Sequence, residues 1–109
     1  RYVREAVSRT DAVVMLKGVG TLTAEAAGAV RLNLTGNPGM ACGGSGDVLA
    51  GLLTGFVGRG MAPFYAACCA AFIHGRAGDY AALEQTQYAM HAEDILTHLP
   101  AAMKSCCVR

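Results

Sequence analysis

The sequence is poor in charge. Only 16% of its residues are Asp, Glu, Lys or Arg, the formal net charge is +1, and Lys and Arg never cluster into a run. A chain without a strong field of either sign has no electrostatic draw on nucleic acid or an anionic membrane surface. C-x-x-C pairs are missing. Cys42, Cys68, Cys69, Cys106 and Cys107 include two adjacent pairs and fit no zinc module. They read as small buried hydrophobes in a reducing compartment, here the cytoplasm. Long hydrophobic runs are missing too. The longest, 48–57 and 64–73, hold about ten residues each, half of the roughly 20 that a bilayer demands. The start, Arg1-Tyr2-Val3-Arg4-Glu5, has no apolar leader segment. Internal repeats and low-complexity linkers are absent. So are the Walker pattern G-x-x-x-x-G-K-[ST] and the dinucleotide fingerprint G-x-G-x-x-G after a strand.

What the sequence does have is apolar surface and glycine: 53% hydrophobic residues and 14 glycines in 109 residues. A small chain exposes proportionally more surface, so this excess, with a first residue that is not Met, marks a slice of a larger buried fold. Residues 1–9 read as the end of a helix. The run Ala12–Leu16 fits a strand buried on both faces. Then Thr21–Ala24 alternates weakly, Glu25–Gly28 can turn the chain, and Val30, Leu32 and Leu34 alternate with Arg31, Asn33 and Thr35. This is the period of a half-buried hairpin strand with its apolar residues inward; a short helix over the alanine-rich residues 24–29 is the competing reading. Five glycines between 36 and 46 exclude a regular element there. An apolar helix follows from Asp47 to about Arg59. A second runs from Phe64 into the seventies, where Gly75 and Gly78 obscure its end. A third covers His91–Leu99 with Ile95, Leu96 and Leu99 on one side, and Pro100 either kinks it or starts a new turn. Strand, hairpin, glycine loop and three helices make an α/β pattern without its first half.

The strongest chemical signal is the loop Asn37-Pro38-Gly39-Met40-Ala41-Cys42-Gly43-Gly44-Ser45-Gly46-Asp47 feeding a buried helix. Glycines let the backbone approach a ligand, and a helix start offers unpaired N–H groups and partial positive charge. Together they cradle a phosphate. Asp47 at that start can take a proton from a substrate hydroxyl, while the cradle stabilises a transferring phosphoryl group. Against this, Asp is a common N-cap and glycine a common loop residue. The second signal is Lys17-Gly18-Val19-Gly20-Thr21, at the carboxyl end of a strand where open α/β sheets bind ligands; the bland alternative is a solvated hairpin lysine. In His74-Gly75-Arg76-Ala77-Gly78-Asp79, His74 reads as a satisfied core residue, and Asp79 caps a turn or pairs with Arg76. His91, Asp94 and His98 on the last helix read as a solvated face rather than a metal site.

Together the two signals resemble a known family. Lys17–Thr21, a hairpin, then Asn37–Asp47 with Val48-Leu49-Ala50-Gly51 is similar to the carbohydrate-kinase-like NAD(P)H-hydrate dehydratases. So are His74-Gly75-x-Ala77-Gly78-Asp79 and Ala92-x-Asp94-Ile95, and the resemblance runs from about residue 12 to 104. Two departures stand out: Cys42 replaces an expected threonine, and 25–28 lacks an expected Pro-Asp.

The resemblance implies a ribokinase-like three-layer α/β/α sandwich, with residues 1–109 as the C-terminal nucleotide-binding portion of a single domain whose N-terminal portion is absent. It implies repair of the S-form hydrates of NADH and NADPH, driven by ADP or ATP with Mg²⁺ carried by the nucleotide phosphates. Lys17, Gly18, Val19, Gly20 and Thr21 would bind the nucleotide together with Gly43, Gly44, Ser45 and Gly46. Asp47 would contact the hydrate and act as base. A homo-oligomer in the cytoplasm, acting on small molecules and touching neither nucleic acid nor membrane, is expected. A ribokinase-like small-molecule kinase on the same cradle, or a non-catalytic nucleotide-binding fragment, are the alternatives.

Overall fold

The computed structural model of the protein describes residues 12–18, 20–26 and 28–106; the helix expected over 1–9 lies outside them. Three short strands form one antiparallel sheet in the order β1 (Val14–Leu16), β2 (Thr21–Ala24), β3 (Val30–Asn33). β1 turns into β2 through the Lys17–Thr21 segment, where Gly20 takes φ +75°, a backbone conformation that glycine adopts without strain. Glu25 closes the second turn: its N–H reaches Ala29 O at 3.1 Å and its carbonyl accepts Gly28 N–H at 3.0 Å. The hairpin is therefore what forms, not the competing short helix. A 3-10 turn, Pro38–Met40, leads to α1 (Ser45–Gly58), α2 (Pro63–Gln85) and α3 (Ala92–Cys106). Among the described residues no helix is long and apolar enough to cross a membrane.

α2 is the frame. Pro63 sits at its first turn, where a missing N–H costs nothing. Its buried residues, Ala66, Ala67, Ala70, Ala71, Ile73, Ala77 and Ala81 among them, occupy a broad face of a little over half the helix, while Tyr65 and Leu83 on the opposite side are exposed. It packs against β2 and β3, against α1 and against α3. The main core, Ile73, Ala77, Ala81, Met90, Ile95 and Ala102, lies where the helices meet, with Leu52 and Phe56 of α1 packed onto it.

Four sequence expectations change. The alternation of β3 is present but inverted. Val30, Leu32 and Leu34 are 38%, 52% and 80% exposed, while Asn33 on the opposite face donates to Ala71 O of α2 at 3.1 Å. α2 meets the hairpin with small alanines and free carbonyl lone pairs, so polar Asn33 and Thr35 suit that face better than leucine does. β1 is not buried on both faces: Leu16 is exposed, and among the described residues only β2 pairs with β1. α1 begins at Ser45, two residues before the expected Asp47, because Gly44 at φ 90° serves as its N-cap. In α3, Leu96 is exposed while Ile95 is buried.

The uncertain helix ends resolve in favour of continuity. α2 passes straight through Gly75 and Gly78 to Gln85, and α3 continues through Pro100 to Cys106. Pro100 removes the N–H that would have bonded Leu96 O, but both residues are exposed, so water can take that carbonyl.

Glycine is required in α2 by close approach. A Cβ on Gly75 would lie 2.7 Å from the Thr35 carbonyl carbon and would collide with Thr35 Oγ1; one on Gly78 would collide with Met40. By contrast, a Cβ on Gly51 in α1 meets nothing within 4 Å. Gly75→Ala should therefore destabilise by roughly 1–3 kcal/mol through overpacking, and Gly51→Ala should stabilise by up to about 1 kcal/mol through helix propensity. Thermal unfolding should show melting temperatures moving in opposite directions. Equal shifts of the same sign would refute the packing assignment.

Candidate nucleotide site

The two glycine-bearing signals meet at one cavity of about 710 Å³. Lys17, Gly18, Gly20 and Thr21 form one wall, and Ser45, Gly46 and Leu49 of α1 form another. Ala71, His74 and Gly75 of α2 close the third side, and the strand-loop segment 33–38 with Met40, Ala41 and Cys42 completes it. Val19 lies outside the described residues. Gly43, Gly44 and Asp47 are not among the lining residues. Gly43 is exposed, Gly44 caps α1 with its Cα close to Ala92, and Asp47 stands exposed in the first turn beside Gly46.

The α1 N-terminus is open to an anion. Ser45 N–H is used by Cys42 O at 3.2 Å, but among the described residues the N–H groups of Gly43, Gly44, Gly46 and Asp47 have no partner. The Lys17 ammonium lies 3.0 Å from where a Cβ on Gly46 would stand. Any side chain at 46 would fill the space between lysine and helix start. A lysine cation, unpaired N–H groups and the positive end of a helix thus converge on one glycine.

The third sequence signal turns out to hold the site together. Asp79 neither caps α2 nor pairs with Arg76. Its Oδ2 accepts Gly36 N–H at 3.0 Å and its Oδ1 accepts Asn37 Nδ2 at 2.9 Å. Asn37 Nδ2 also donates to Gly78 O at 3.0 Å, and its Oδ1 accepts Gly39 N–H at 3.0 Å. Thr35 Oγ1 donates to Phe72 O at 3.1 Å. Arg76 instead donates to the Tyr80 hydroxyl at 3.2 Å and lies over the Phe72 and Tyr80 rings. No motif in the sequence marks Asn33 and Thr35 as site residues. The signal was present: polar residues at 33, 35 and 37 keep a two-residue period into the loop.

His74 is buried, and its Nε2 lies 3.0 Å from Ser45 O and 3.4 Å from Ser45 Oγ. Burial pulls its pKa below the ordinary 6.5, the Lys17 charge adds to that, and the bond to the Ser45 carbonyl opposes it. On the last helix, Asp94 Oδ2 accepts His91 N–H at 2.7 Å and so caps α3. His98 Nδ1 lies 2.7 Å from Asp94 O. These residues serve the helix start.

Residues 1–101 match the carbohydrate-kinase family described as NAD(P)H-hydrate dehydratase. The chain belongs to that family. The bifunctional NAD(P)H-hydrate repair enzyme of Moorella thermoacetica is 47% identical over 105 residues, which is 96% of this chain and 19% of that protein. The corresponding enzyme of Thermofilum pendens is 40% identical over 93% of this chain and 19% of its own length. The chain thus spans about a fifth of the length of these relatives. The ADP/ATP-dependent NAD(P)H-hydrate dehydratase from Bacillus subtilis, co-crystallized with ATP/Mg²⁺, superposes with a TM-score of 0.89 at 31% identity, over 95% of this chain and 38% of that one. The α/β arrangement described above is therefore the carbohydrate-kinase-like one of this dehydratase family.

His74 gives this site a pH signature. The folded state keeps the imidazole neutral below the pH at which the unfolded chain protonates it. Between 6.5 and the lower folded pKa the unfolded state then binds more protons, and stability rises with pH. Stability should fall as pH drops from about 6.5 through the folded value. Melting temperatures of wild type and His74→Gln measured from neutral to acidic pH should diverge in that window, the wild type falling more steeply. Parallel curves would show that the imidazole is not held neutral.

Proposed function

We propose that this chain supplies the nucleotide-binding portion of a single carbohydrate-kinase-like domain, and that the enzyme uses ADP or ATP to dehydrate the S-form hydrates of NADH and NADPH. The observation that carries this reading is the convergence of Lys17 Nζ and the free N–H groups of Gly46 and Asp47 on one glycine. The family membership and the nucleotide named for the B. subtilis enzyme support it.

On this reading the backbone of Lys17–Thr21 and the 43–46 loop hold the nucleotide, with its terminal phosphoryl group at the start of α1. Asp47 accepts the proton of the hydrate's ring hydroxyl as that oxygen attacks phosphorus and the nucleotide's bridging P–O bond breaks. The hydroxyl, now a phosphate ester, leaves as inorganic phosphate with the C–O bond electrons, and loss of a ring proton restores the double bond. Lys17 and the α1 N–H groups balance charge on the transferring group, a role that is strongest when the donors are already in place. Mg²⁺ would arrive with the nucleotide, held largely by phosphate oxygens and water. It would add positive charge at the phosphates.

The test is recovery of reduced nicotinamide absorbance from hydrated NADH on addition of nucleotide and Mg²⁺. We expect a nucleotide-dependent rise in the wild-type enzyme. Asp47→Asn should lose about 10²–10⁴-fold in turnover, the usual contribution of a positioned base, while still binding nucleotide. No recovery with ADP or ATP from a protein that binds either would sink the dehydratase reading, and a stable phosphorylated product from another small alcohol would establish a kinase.

A further inference from the structure

His74 is a buried titratable side chain that lines the cavity and has no part in the chemistry proposed above. It sits in the middle of α2, next to Gly75, where Thr35 makes its closest approach. Its relative exposure is 9%, so its ring nitrogens depend on protein partners. The partner at 3.0 Å is the carbonyl of Ser45, and the hydroxyl of the same residue is 3.4 Å away. Ser45 is the first residue of α1 and directly precedes Gly46, the residue beneath Lys17 Nζ.

A carbonyl oxygen only accepts, so Nε2 must carry the proton in this contact. The neutral Nε2–H tautomer satisfies it and leaves Nδ1 as a lone pair. A second cation beside Lys17 is not needed to make the bond.

The first peptide of α1 needs such a hold. Gly44 before it caps the helix without a side chain, and no side-chain cap bonds the first turn. Glycine on both sides of Ser45 leaves the chain there with maximal backbone freedom. The backbone ties at that turn, Ser45 N–H to Cys42 O and Val48 N–H to Gly44 O, stay within the same loop and helix. The His74 bond instead fastens the turn to α2, the most buried helix of the fold. An anion site made of backbone N–H groups works only as well as those groups are aimed.

We propose that His74 is a positioning residue for nucleotide binding, in which Nε2–H holds the Ser45 carbonyl and so aims the Gly46 and Asp47 N–H groups at the nucleotide's phosphates. The proposal rests on the nucleotide-binding reading of the cavity but not on the hydrate chemistry. His74 itself does not touch the nucleotide.

The experiment is calorimetric binding of ADP, with and without Mg²⁺, to the full-length enzyme and to His74→Leu and His74→Gln. Leucine fills volume without a donor; glutamine places an amide N–H near the position of Nε2. His74→Leu should bind ADP about tenfold more weakly, the equivalent of one lost hydrogen bond, and His74→Gln should recover to within about threefold of wild type. Turnover at saturating nucleotide should change less than KM for nucleotide. Equal ADP affinity in all three proteins would overturn the proposal. So would equal weakening of both variants in step with their melting temperatures, which is what a purely structural histidine would give. Should His74→Leu fail to fold, ¹⁵N NMR of the wild-type imidazole decides: a protonated Nε2 with an unprotonated Nδ1 is required, and the opposite tautomer overturns the assignment. ADP binding without recovery of reduced nicotinamide would remove the dehydratase reading while leaving this one to stand or fall on the binding data.

Discussion

The site depends on the close approach of the 33–40 segment to the middle of α2. Backbone at Thr35 comes so near the helix that only glycine fits at 75, and the Met40 side chain packs into the space a Cβ would take at 78. Two interior glycines cost roughly 2 kcal/mol of helix propensity. They are tolerated because of what the approach allows. Asn33, Thr35 and Asn37 each donate to a carbonyl of α2, at Ala71, Phe72 and Gly78. Asp79 returns from the helix to accept two donors of the loop. Bonds to a charged acceptor contribute about 1.5–3 kcal/mol each, so the Asp79 pair alone offsets the glycines. Each element makes the other possible: the glycines create the gap, and the polar side chains fill it.

From that docking the rest of the site follows mechanically. Once 33–40 is fixed on α2, Asn37 shapes the 3-10 turn by accepting Gly39 N–H. The chain then reaches Gly44 at an angle that starts α1 facing the cavity, and His74, one residue from the docking point, bonds the first peptide of that helix. The electrostatics are economical. One cation, Lys17, faces the helix start, and His74, the nearest titratable group on α2, is pushed toward neutrality by burial and by Lys17 itself. On the proposed reading an incoming phosphate would meet N–H groups at the helix start and a single lysine charge.

How much of this could be read in the sequence depends on the range of the interaction. The segments Lys17–Thr21 and Gly43–Asp47 are local, because turns and helix starts are set by the residues within them: the first joins β1 to β2, and the second holds a helix start two residues earlier than expected. The hairpin turn at Glu25–Gly28 is local too. The face of β3 was not legible. Alternation gives two faces but not which one a helix will cover, and the covering helix lies about 40 residues later. Leucine at 32 and 34 points to the other side, whereas the face that α2 covers carries Asn33 and Thr35, which bond the Ala71 and Phe72 carbonyls. The ends of α2 and α3 were illegible for the same reason: glycine and proline weaken a helix by local rules, and tertiary contacts at Gly75 and Gly78 override them. Asp79 was seen as a cap or an ion-pair partner because its true partners, Gly36 and Asn37, are remote in sequence.

Asp47 poses the remaining physical question, since it stands outside the cavity lining and is exposed. Exposure means that no apolar pocket encloses the carboxylate. It does not argue against a base whose proton acceptance is needed only as the phosphoryl group transfers. By then the acceptor oxygen has lost its basicity to the forming P–O bond, and its proton becomes acidic enough for an ordinary carboxylate. What such a base needs is location. Asp47 follows Gly46 directly, so it stands at the boundary between the phosphate cradle and the space outside the cavity. On the proposed reading the two substrates meet there, the nucleotide extending inward past Lys17 and Thr21 and the hydrate approaching from the exposed side of α1. The helix start then serves both: its N–H groups hold the anion, and its third residue takes the proton.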